Sequence, residues 1–335
     1  MSQFQGLAAH AAGAELLPFR YDPGKLGAHE AEIVITHCGI CHSDLHLIAN
    51  DWGISQYPFI PGHEVVGIIC AVGSEVKSLQ LGQRVGLGWQ SNSCGHCEWC
   101  LNGQENLCPE AEATCVHRHG GYADRVRANA RFIVPIPDAL DSEKAAPLLC
   151  AGVTVYNPLR INGINPSSRV GIVGIGGLGH IAIQFARVFG AEVTAFSTSA
   201  GKEEEARALG AHRFVNSLES KAMKETAGSL DFILTTVSAD QDWNAYLQAL
   251  RPNGTLWFVG VPPSAASVQA FPLISGQRTI GGSPVGTPAR MREMLDVAAR
   301  HGVKATTELF PMNKANEAIG KVKKGKVRYR AVLAN

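Results

Sequence analysis

A glycine-rich turn in the middle of the chain constrains the fold more than any other feature. It reads Gly174-Ile175-Gly176-Gly177-Leu178-Gly179, follows a short apolar strand and opens a segment, Gly179–Phe189, with apolar residues at helical spacing. In this context Gly174 makes the tight turn, Gly176 lets the backbone approach a pyrophosphate, and Gly179 lets helix and strand pack closely. The helix N-terminus would then stabilise the phosphate charge. A glycine-rich turn without a ligand is the alternative.

Strands and helices are predicted to alternate around this turn, which is typical of an α/β fold with a Rossmann doubly wound parallel sheet. The predicted strands cover residues 169–173, 192–196, 231–234 and 255–259, and helices are predicted over 179–189 and 203–209. The first ~150 residues instead predict short strands joined by loops, including strands at 32–36, 65–69 and 82–87. A helix over 291–300 leads into a segment that ends at residues 329–333, and we expect this segment to return to the first domain.

Length and composition favour a two-domain globular protein. The chain has 335 residues, 45% of them hydrophobic and 18% charged, which is too long for one ordinary core and too apolar for a disordered chain. The formal net charge of +1 argues against nucleic acid as a partner. One basic cluster near the end of the chain is interpreted as a solvated surface: Lys321, Lys323, Lys324, Lys326, Arg328 and Arg330.

The N-terminal residues show no signal peptide, and no apolar run is long enough to predict a membrane span. Nine cysteines without an export signal favour metal binding over disulfides. A cytoplasmic location is therefore expected, with no membrane partner.

The residues after the second predicted strand of the nucleotide domain indicate which cofactor binds. A carboxylate at this position would accept hydrogen bonds from the ribose of NAD, but the chain has Ser197-Thr198-Ser199 there. Hydroxyl groups tolerate a 2′-phosphate that a carboxylate would repel, and Lys202 can add a positive charge. The sequence therefore favours NADP(H), bound by the glycine-rich turn and these residues. The alternative is that Lys202 is an ordinary surface charge and that NAD binds.

Four cysteines lie within fifteen residues: Cys94, Cys97, Cys100 and Cys108. Four thiolates at this spacing can enclose a zinc ion in a tetrahedral structural site. An iron–sulfur cluster is the alternative, because Pro109 follows the last cysteine, but the bacterial ferredoxin run has a shorter final spacing. We therefore predict a structural zinc ion that holds a loop together.

A second, dispersed set of possible ligands consists of Cys41, the pair His63-Glu64, and Cys150. Two thiolates and one imidazole would neutralise Zn²⁺ and leave one coordination position for an oxygen, as in catalytic zinc sites. Taken alone, each of these residues is more often buried structure than a metal ligand.

Several motifs resemble those of the zinc-containing medium-chain alcohol dehydrogenases. They are Gly62-His63-Glu64-x2-Gly67-x5-Gly73-x2-Val76, the run from Cys38 to His46, the four-cysteine loop and the glycine-rich turn followed by His180. The match extends over essentially the whole chain. Its details are similar to the cinnamyl alcohol dehydrogenase-like branch, especially the bacterial broad-range NADPH-dependent aldehyde reductases.

The resemblance implies a mostly-β GroES-like catalytic domain over 1–151 that carries both zinc sites, a Rossmann domain over 152–287, and a segment over 288–335 that returns to the first domain. It implies a catalytic zinc ion bound by Cys41, His63 and Cys150, with Glu64 close to the metal. Asp44 would orient the ligand histidine, and Ser43 and His46 would relay a proton. A homodimer is the usual assembly, although a tetramer is possible.

The resemblance also places Trp52 and Trp89 at the substrate pocket, where they would favour apolar or aromatic aldehydes, while core packing is the alternative for both. The expected activity is a reversible, zinc- and NADPH-dependent aldehyde reduction. Two other functions stay open: a zinc polyol or sugar dehydrogenase, and a non-catalytic NADP-binding sensor that would lack at least one of the three ligands.

Overall fold

The computed structural model describes residues 3–335, which divide into two compact units. The first unit contains the described residues up to Val153 together with Gly286–Asn335, and the second is Thr154–Val285. In chain order the strands are β1 (Phe4–Ala8), β2 (Leu17–Tyr21), β3 (Glu30–Gly39), β4 (Val65–Val72), β5 (Arg84–Leu87), β6 (Gln90–Asn92), β7 (Glu112–Ala113), β8 (Arg125–Asn129), β9 (Ile133–Pro135), β10 (Arg169–Val173), β11 (Glu192–Ser197), β12 (Arg213–Asn216), β13 (Leu230–Thr235), β14 (Leu250–Phe258), β15 (Thr279–Gly282), β16 (Thr307–Pro311) and β17 (Arg330–Ala334).

The helices are α1 (His42–Ala49), α2 (Glu98–Leu101), α3 (Ser142–Ala145), α4 (Ala151–Ile161), α5 (Gly179–Val188), α6 (Glu203–Ala208), α7 (Ser220–Lys224), α8 (Trp243–Ala249), α9 (Ala270–Gly276), α10 (Pro288–His301) and α11 (Ala315–Lys323). Short 3₁₀ turns cover Glu105–Leu107, Ala130–Phe132, Ala146–Leu149, Ala200–Lys202 and Met312–Lys314. Among residues 3–335, no helix is both long enough and apolar enough to cross a membrane.

The second unit is built on a six-stranded parallel sheet with the order β12-β11-β10-β13-β14-β15. Its strands consist of short apolar runs because both faces of the sheet are covered. The strand order reverses between β10 and β13, and the glycine-rich turn follows β10 at this switch point, where nucleotides bind in such sheets. The core includes Val173, Phe196, Ile233 and Leu256. The predicted doubly wound sheet is confirmed.

The first unit contains a mainly antiparallel seven-stranded sheet with the order β16-β17-β3-β4-β5-β9, with β8 paired to β3. The last strand of the chain, β17, lies between β16 and β3, and is parallel to the first and antiparallel to the second. Buried aliphatic side chains such as Ile33, Ile69 and Leu333 form the core beneath this sheet. The C-terminal segment is therefore part of the first unit.

The predicted strands and helices agree with the structure to within a few residues, except that β14 begins at Leu250, five residues before the predicted position. The interpretation of the basic cluster was wrong for one residue. Lys323, Lys324, Lys326 and Arg328 are exposed, but Arg330 is buried at the start of β17. It is buried because its guanidinium group has an acidic partner inside the first unit, described below.

Candidate active site and metal centres

Four potential metal ligands from distant points in the sequence meet inside the first unit. The ligand atoms of Cys41, His63, Glu64 and Cys150 all lie within 4.8 Å of one another, and all four residues are buried. Cys41 precedes α1, the His63-Glu64 pair precedes β4, and Cys150 precedes α4, so three loop-to-element junctions supply the group. Two thiols, one imidazole and one carboxylate form a donor set that suits zinc.

Asp44 fixes the orientation of the histidine in this group. Its Oδ1 atom lies 2.9 Å from Nδ1 of His63 and accepts a hydrogen bond from the backbone N–H of Gly62 at 3.0 Å. Its Oδ2 atom accepts from the backbone N–H of Cys41 at 2.8 Å, which caps α1, and from the Tyr122 hydroxyl at 3.3 Å. With Nδ1 bound to a carboxylate, the Nε2 lone pair of His63 is free to bind a metal ion.

Two observations indicate that the group is built to hold a cation. The buried Nε2 atom of His63 has no hydrogen-bond partner among the described residues, although buried nitrogens are rarely left unpaired. Burial opposes protonation of His63, but the charges of Asp44 and Cys150 raise its pKa well above the ordinary value. Conversely, a hydrogen bond with Cys150 lowers the pKa of Cys41 against the effect of burial. These negative surroundings would stabilise a bound zinc ion in place of the proton.

A buried ion pair adjoins the ligand group. The Nη2 atom of Arg330 donates to Oε1 of Glu64. The Arg330 side chain is 3% exposed and the Glu64 side chain is 0% exposed. Burial raises the pKa of Glu64 to about 7, even though the Arg330 charge opposes this shift. The other carboxylate oxygen faces Gly39, where any side chain would collide with it. Sequence analysis missed Arg330, although the apolar residues that follow it could have indicated a buried strand.

The four clustered cysteines also converge. The sulfur atoms of Cys94, Cys97, Cys100 and Cys108 lie within 4.8 Å of one another. The Sγ atom of Cys94 is 3.6 Å from that of Cys108 and 3.9 Å from that of Cys100. Bonds of ~2.3 Å to a tetrahedral zinc ion would place sulfur atoms ~3.8 Å apart. A hydrogen bond from the backbone N–H of His96 lowers the pKa of Cys94 to about 6, which favours the thiolate form that zinc requires.

The two residues expected to relay protons lie on the same face of α1. Ser43 and His46 are three positions apart, so their side chains are neighbours on the helix surface. The Nδ1 atom of His46 is 2.7 Å from Oδ2 of Asp51, and both side chains are partly exposed. Asp51 was missing from the sequence prediction, although it follows the left-handed residue Asn50 that ends the helix.

Aromatic rings connect the ligand histidine with the outer part of the site. Trp89 contacts His63 edge-on with ring centroids 4.9 Å apart, and Trp52 contacts Trp89 at 6.3 Å. Trp52 in turn stacks on His46 at 5.4 Å. Trp89 also packs against the core of the first unit, whereas Trp52 is exposed. Trp89 therefore contacts both the core of the first unit and the ligand histidine.

The glycine-rich turn of the second unit has the backbone geometry that its sequence predicts. Gly174 has φ of +91°, and a Cβ atom on Gly179 would collide with the carbonyl of Gly174. A Cβ atom on Gly176 would point into open space, so the backbone is accessible to a ligand there. These features fit a pyrophosphate at the N-terminus of α5.

The residues predicted to select the cofactor lie beside this turn. Ser197 ends β11, Thr198 and Ser199 are exposed, and no carboxylate occupies the end of that strand. The backbone N–H of Ser199 donates to Oγ of Ser197 at 3.1 Å. The Nζ atom of Lys202 donates to the carbonyl of Ile175 in the glycine-rich turn at 2.6 Å. The structure thus brings Lys202 and the turn together.

Comparisons with known proteins agree with both parts of this description. Residues 27–138 match the alcohol dehydrogenase GroES-like domain, and residues 177–300 match the zinc-binding dehydrogenase domain. Aldehyde reductase AdhA from Synechocystis sp. is 47% identical over 328 residues, which cover 98% of each chain.

Two solved structures are also similar. A cinnamyl alcohol dehydrogenase from Sorghum bicolor has a TM-score of 0.95 and 40% identity, with 99% of this chain and 98% of that chain covered. A cinnamyl alcohol dehydrogenase from Helicobacter pylori, solved with NADP(H), has a TM-score of 0.91 and 32% identity over the same shares of both chains.

Proposed function

We propose that this chain, an enzyme that belongs to the zinc-containing medium-chain alcohol dehydrogenase family, uses NADPH to reduce aldehydes to primary alcohols in a reversible reaction. The observation that carries the proposal is the buried convergence of Cys41, His63, Glu64 and Cys150. The name of the Synechocystis relative and the NADP(H) bound to the Helicobacter pylori relative support the substrate class and the cofactor.

The residues fit two zinc ions with different tasks. Cys41, His63 and Cys150 would hold the catalytic zinc ion, because His63 presents an unpaired Nε2 atom between two thiols. The four clustered cysteines would hold a structural zinc ion, because their four sulfur atoms already lie close enough together to bind one ion. When bound, the catalytic zinc ion would polarise the aldehyde carbonyl and NADPH would supply the hydride.

The chemical step that the protein's own side chains would supply is the delivery of a proton. Reduction of an aldehyde consumes one proton, and we propose that Ser43 and His46, which are neighbours on α1, deliver it. The Ser43 hydroxyl can donate one proton while it accepts another, and the imidazole ring of His46 is partly exposed, so it can pass a proton to or from water. Asp51 holds Nδ1 of His46, which leaves Nε2 to carry the exchanged proton.

Glu64 and Arg330 form a buried ion pair with no net charge beside the zinc ligands. An isolated carboxylate here would add a further negative charge to two thiolates in a buried site. Arg330 removes this excess because its guanidinium group is buried against Glu64. We propose that this pair sets the net charge of the site close to the value that a divalent cation requires.

The aromatic rings of Trp52 and Trp89 support an apolar or aromatic substrate rather than a polyol. Their contacts extend from His63 to His46 along one side of the site, and they offer few polar groups to a sugar chain. Apolar walls discriminate weakly between aldehydes, by about 1–3 kcal/mol per methylene, so a broad substrate range is expected.

We also propose that residues 1–151 and 288–335 form the catalytic domain, that residues 152–287 form the dinucleotide-binding domain, and that the chain works as a cytoplasmic homodimer. Nine free cysteines suit a reducing compartment.

Among the described residues, β15 has a strand partner only on its β14 side. Phe271 and Ile274, on one face of the neighbouring α9, are 77% and 75% exposed. Such an edge and apolar pair fit a second copy of the chain, which light scattering would detect as twice the chain mass.

The function can be tested with the zinc-loaded protein and a panel of aldehydes offered with NADPH or NADH. We expect two zinc ions per chain, a preference for NADPH, and faster benzaldehyde reduction than sorbitol oxidation. Cys41→Ser should lose one zinc ion and most turnover but keep nucleotide binding. Cys70→Ser, which alters an exposed cysteine in β4, is the matched control. Full turnover by Cys41→Ser, or a single zinc ion in the unaltered protein, would contradict the proposal.

A further inference from the structure

Three consecutive carbonyl groups of the glycine-rich turn are held by side chains of the second unit. The Gly174 carbonyl accepts from Oγ1 of Thr236 at 3.4 Å, and that of Ile175 accepts from Nζ of Lys202 at 2.6 Å. The Gly176 carbonyl lies 2.8 Å from Nδ1 of His180. The turn is therefore held by side chains that lie outside the six-residue glycine motif itself.

Lys202 makes the shortest of these contacts and is the only one of the three that is a lysine or arginine. It reaches the turn from the end of the 3₁₀ segment after β11, so it connects two loops that lie 27 residues apart. Within one trans peptide unit the C=O and N–H groups point in opposite directions. By holding the carbonyl of Ile175, Lys202 therefore also fixes the direction of the N–H group of Gly176.

The N–H group of Gly176 belongs to the part of the turn that is open to a ligand, because a Cβ atom at Gly176 would meet nothing within 4 Å. Backbone N–H groups in such turns bind the pyrophosphate of a dinucleotide. We propose that Lys202 is a positioning residue for the pyrophosphate site, which it keeps in its binding conformation for NADH as well as for NADPH. This inference rests on the proposed function and goes beyond it, because a contact with the 2′-phosphate alone would affect only NADPH.

The charge of Lys202 offers a competing explanation that can be separated from positioning. A lysine near the pyrophosphate would attract it through space even without fixing the turn, and such attraction weakens as salt screens the charge. A change in backbone conformation would persist in salt. The affinity for NADH at two ionic strengths therefore distinguishes the two roles.

The experiment is a fluorescence titration of the zinc-loaded protein with NADH and with NADPH, at about 0.05 M and about 0.5 M salt. Lys202→Met should bind NADH about fivefold more weakly than the unaltered protein at both salt concentrations, as expected when one hydrogen bond is lost. It should lose more affinity for NADPH. Circular dichroism and melting without nucleotide would confirm that the variant is folded, which is expected because the side chain is only half-buried.

Ser199→Asp is the matched control, because it adds a repelling carboxylate beside the predicted 2′-phosphate site and leaves the contact between Lys202 and Ile175 in place. It should lose affinity for NADPH but bind NADH at least as tightly as the unaltered protein does, because a carboxylate here can accept hydrogen bonds from the ribose. If Lys202→Met binds NADH normally, or if its loss disappears at the higher salt concentration, the positioning role is wrong. If the unaltered protein binds neither dinucleotide, the proposed function itself is wrong.

Discussion

Replacement of Arg330 by methionine should destabilise the first unit strongly. Methionine replaces the aliphatic part of the arginine side chain but cannot neutralise Glu64, whose side chain is fully buried. Removing one partner of a buried ion pair typically costs about 3–5 kcal/mol, because the other charge is left uncompensated. For a unit of roughly 200 residues, each kcal/mol lowers Tm by about 2–4 °C, so Arg330→Met should melt about 10 °C lower.

The assay is thermal melting of the zinc-loaded protein, with zinc content measured for each variant so that metal loss is not mistaken for a packing effect. The double variant Glu64→Gln with Arg330→Met should regain at least half of the lost stability, because neither buried charge remains. Arg328→Met is the matched control, since Arg328 is exposed two residues earlier, and it should change Tm by less than about 3 °C.

Two results would refute this reasoning. The first is an Arg330→Met protein that retains both zinc ions and melts within about 2 °C of the unaltered protein. The second is a double variant that is no more stable than Arg330→Met alone. Either result would mean that Glu64 becomes protonated when Arg330 is removed, or that other groups compensate its buried charge.

Three other predictions concern separate parts of the molecule. Asp44→Asn should lower the affinity for the catalytic zinc ion by about 10–100-fold, measured by chelator competition, while the structural zinc ion is retained. Cys100→Ser should lose the structural zinc ion and lower Tm but leave NADPH affinity unchanged. A variant with the same zinc content as the unaltered protein would contradict this prediction. The third prediction concerns Glu143. Partial burial raises the pKa of Glu143, but hydrogen bonds from Lys144 and Thr307 lower it by more, so that the pKa lies below its ordinary value. Its charged form therefore stabilises the fold above the pKa of the unfolded chain, and Glu143→Gln should be less stable by up to about 1 kcal/mol at pH 7. Denaturant melts should show this difference closing as the pH falls below about 4; a constant difference would contradict the assignment.

The nucleotide-binding half of the fold could be predicted closely from sequence because its signals are local. The bounds of β10 were predicted without error, and α5 was predicted to within one residue, since a buried parallel strand and an amphipathic helix each leave a short continuous pattern. The four-cysteine site could be predicted from sequence equally well, because all its ligands lie within one loop.

The dispersed site could be assigned only through resemblance, because its ligands are separated by more than a hundred residues and no local pattern joins Cys41 to Cys150. Arg330 shows most clearly which part of the site could not be predicted from the sequence. In sequence it belongs to a run of basic residues, and only the pairing of β17 with β3 brings it beside Glu64. The same holds for Asp51, whose contact with His46 depends on the turn that ends α1.

The position of β17 has a consequence for biosynthesis. This strand fills the gap between β16 and β3, and it is synthesised after the whole of the second unit. The second unit is continuous in sequence and can fold while translation proceeds, whereas the sheet that positions the zinc ligands is incomplete until β17 has left the ribosome. A nascent chain stalled before β17 has emerged should therefore already recognise dinucleotides but still lack the strand that brings Arg330 beside Glu64.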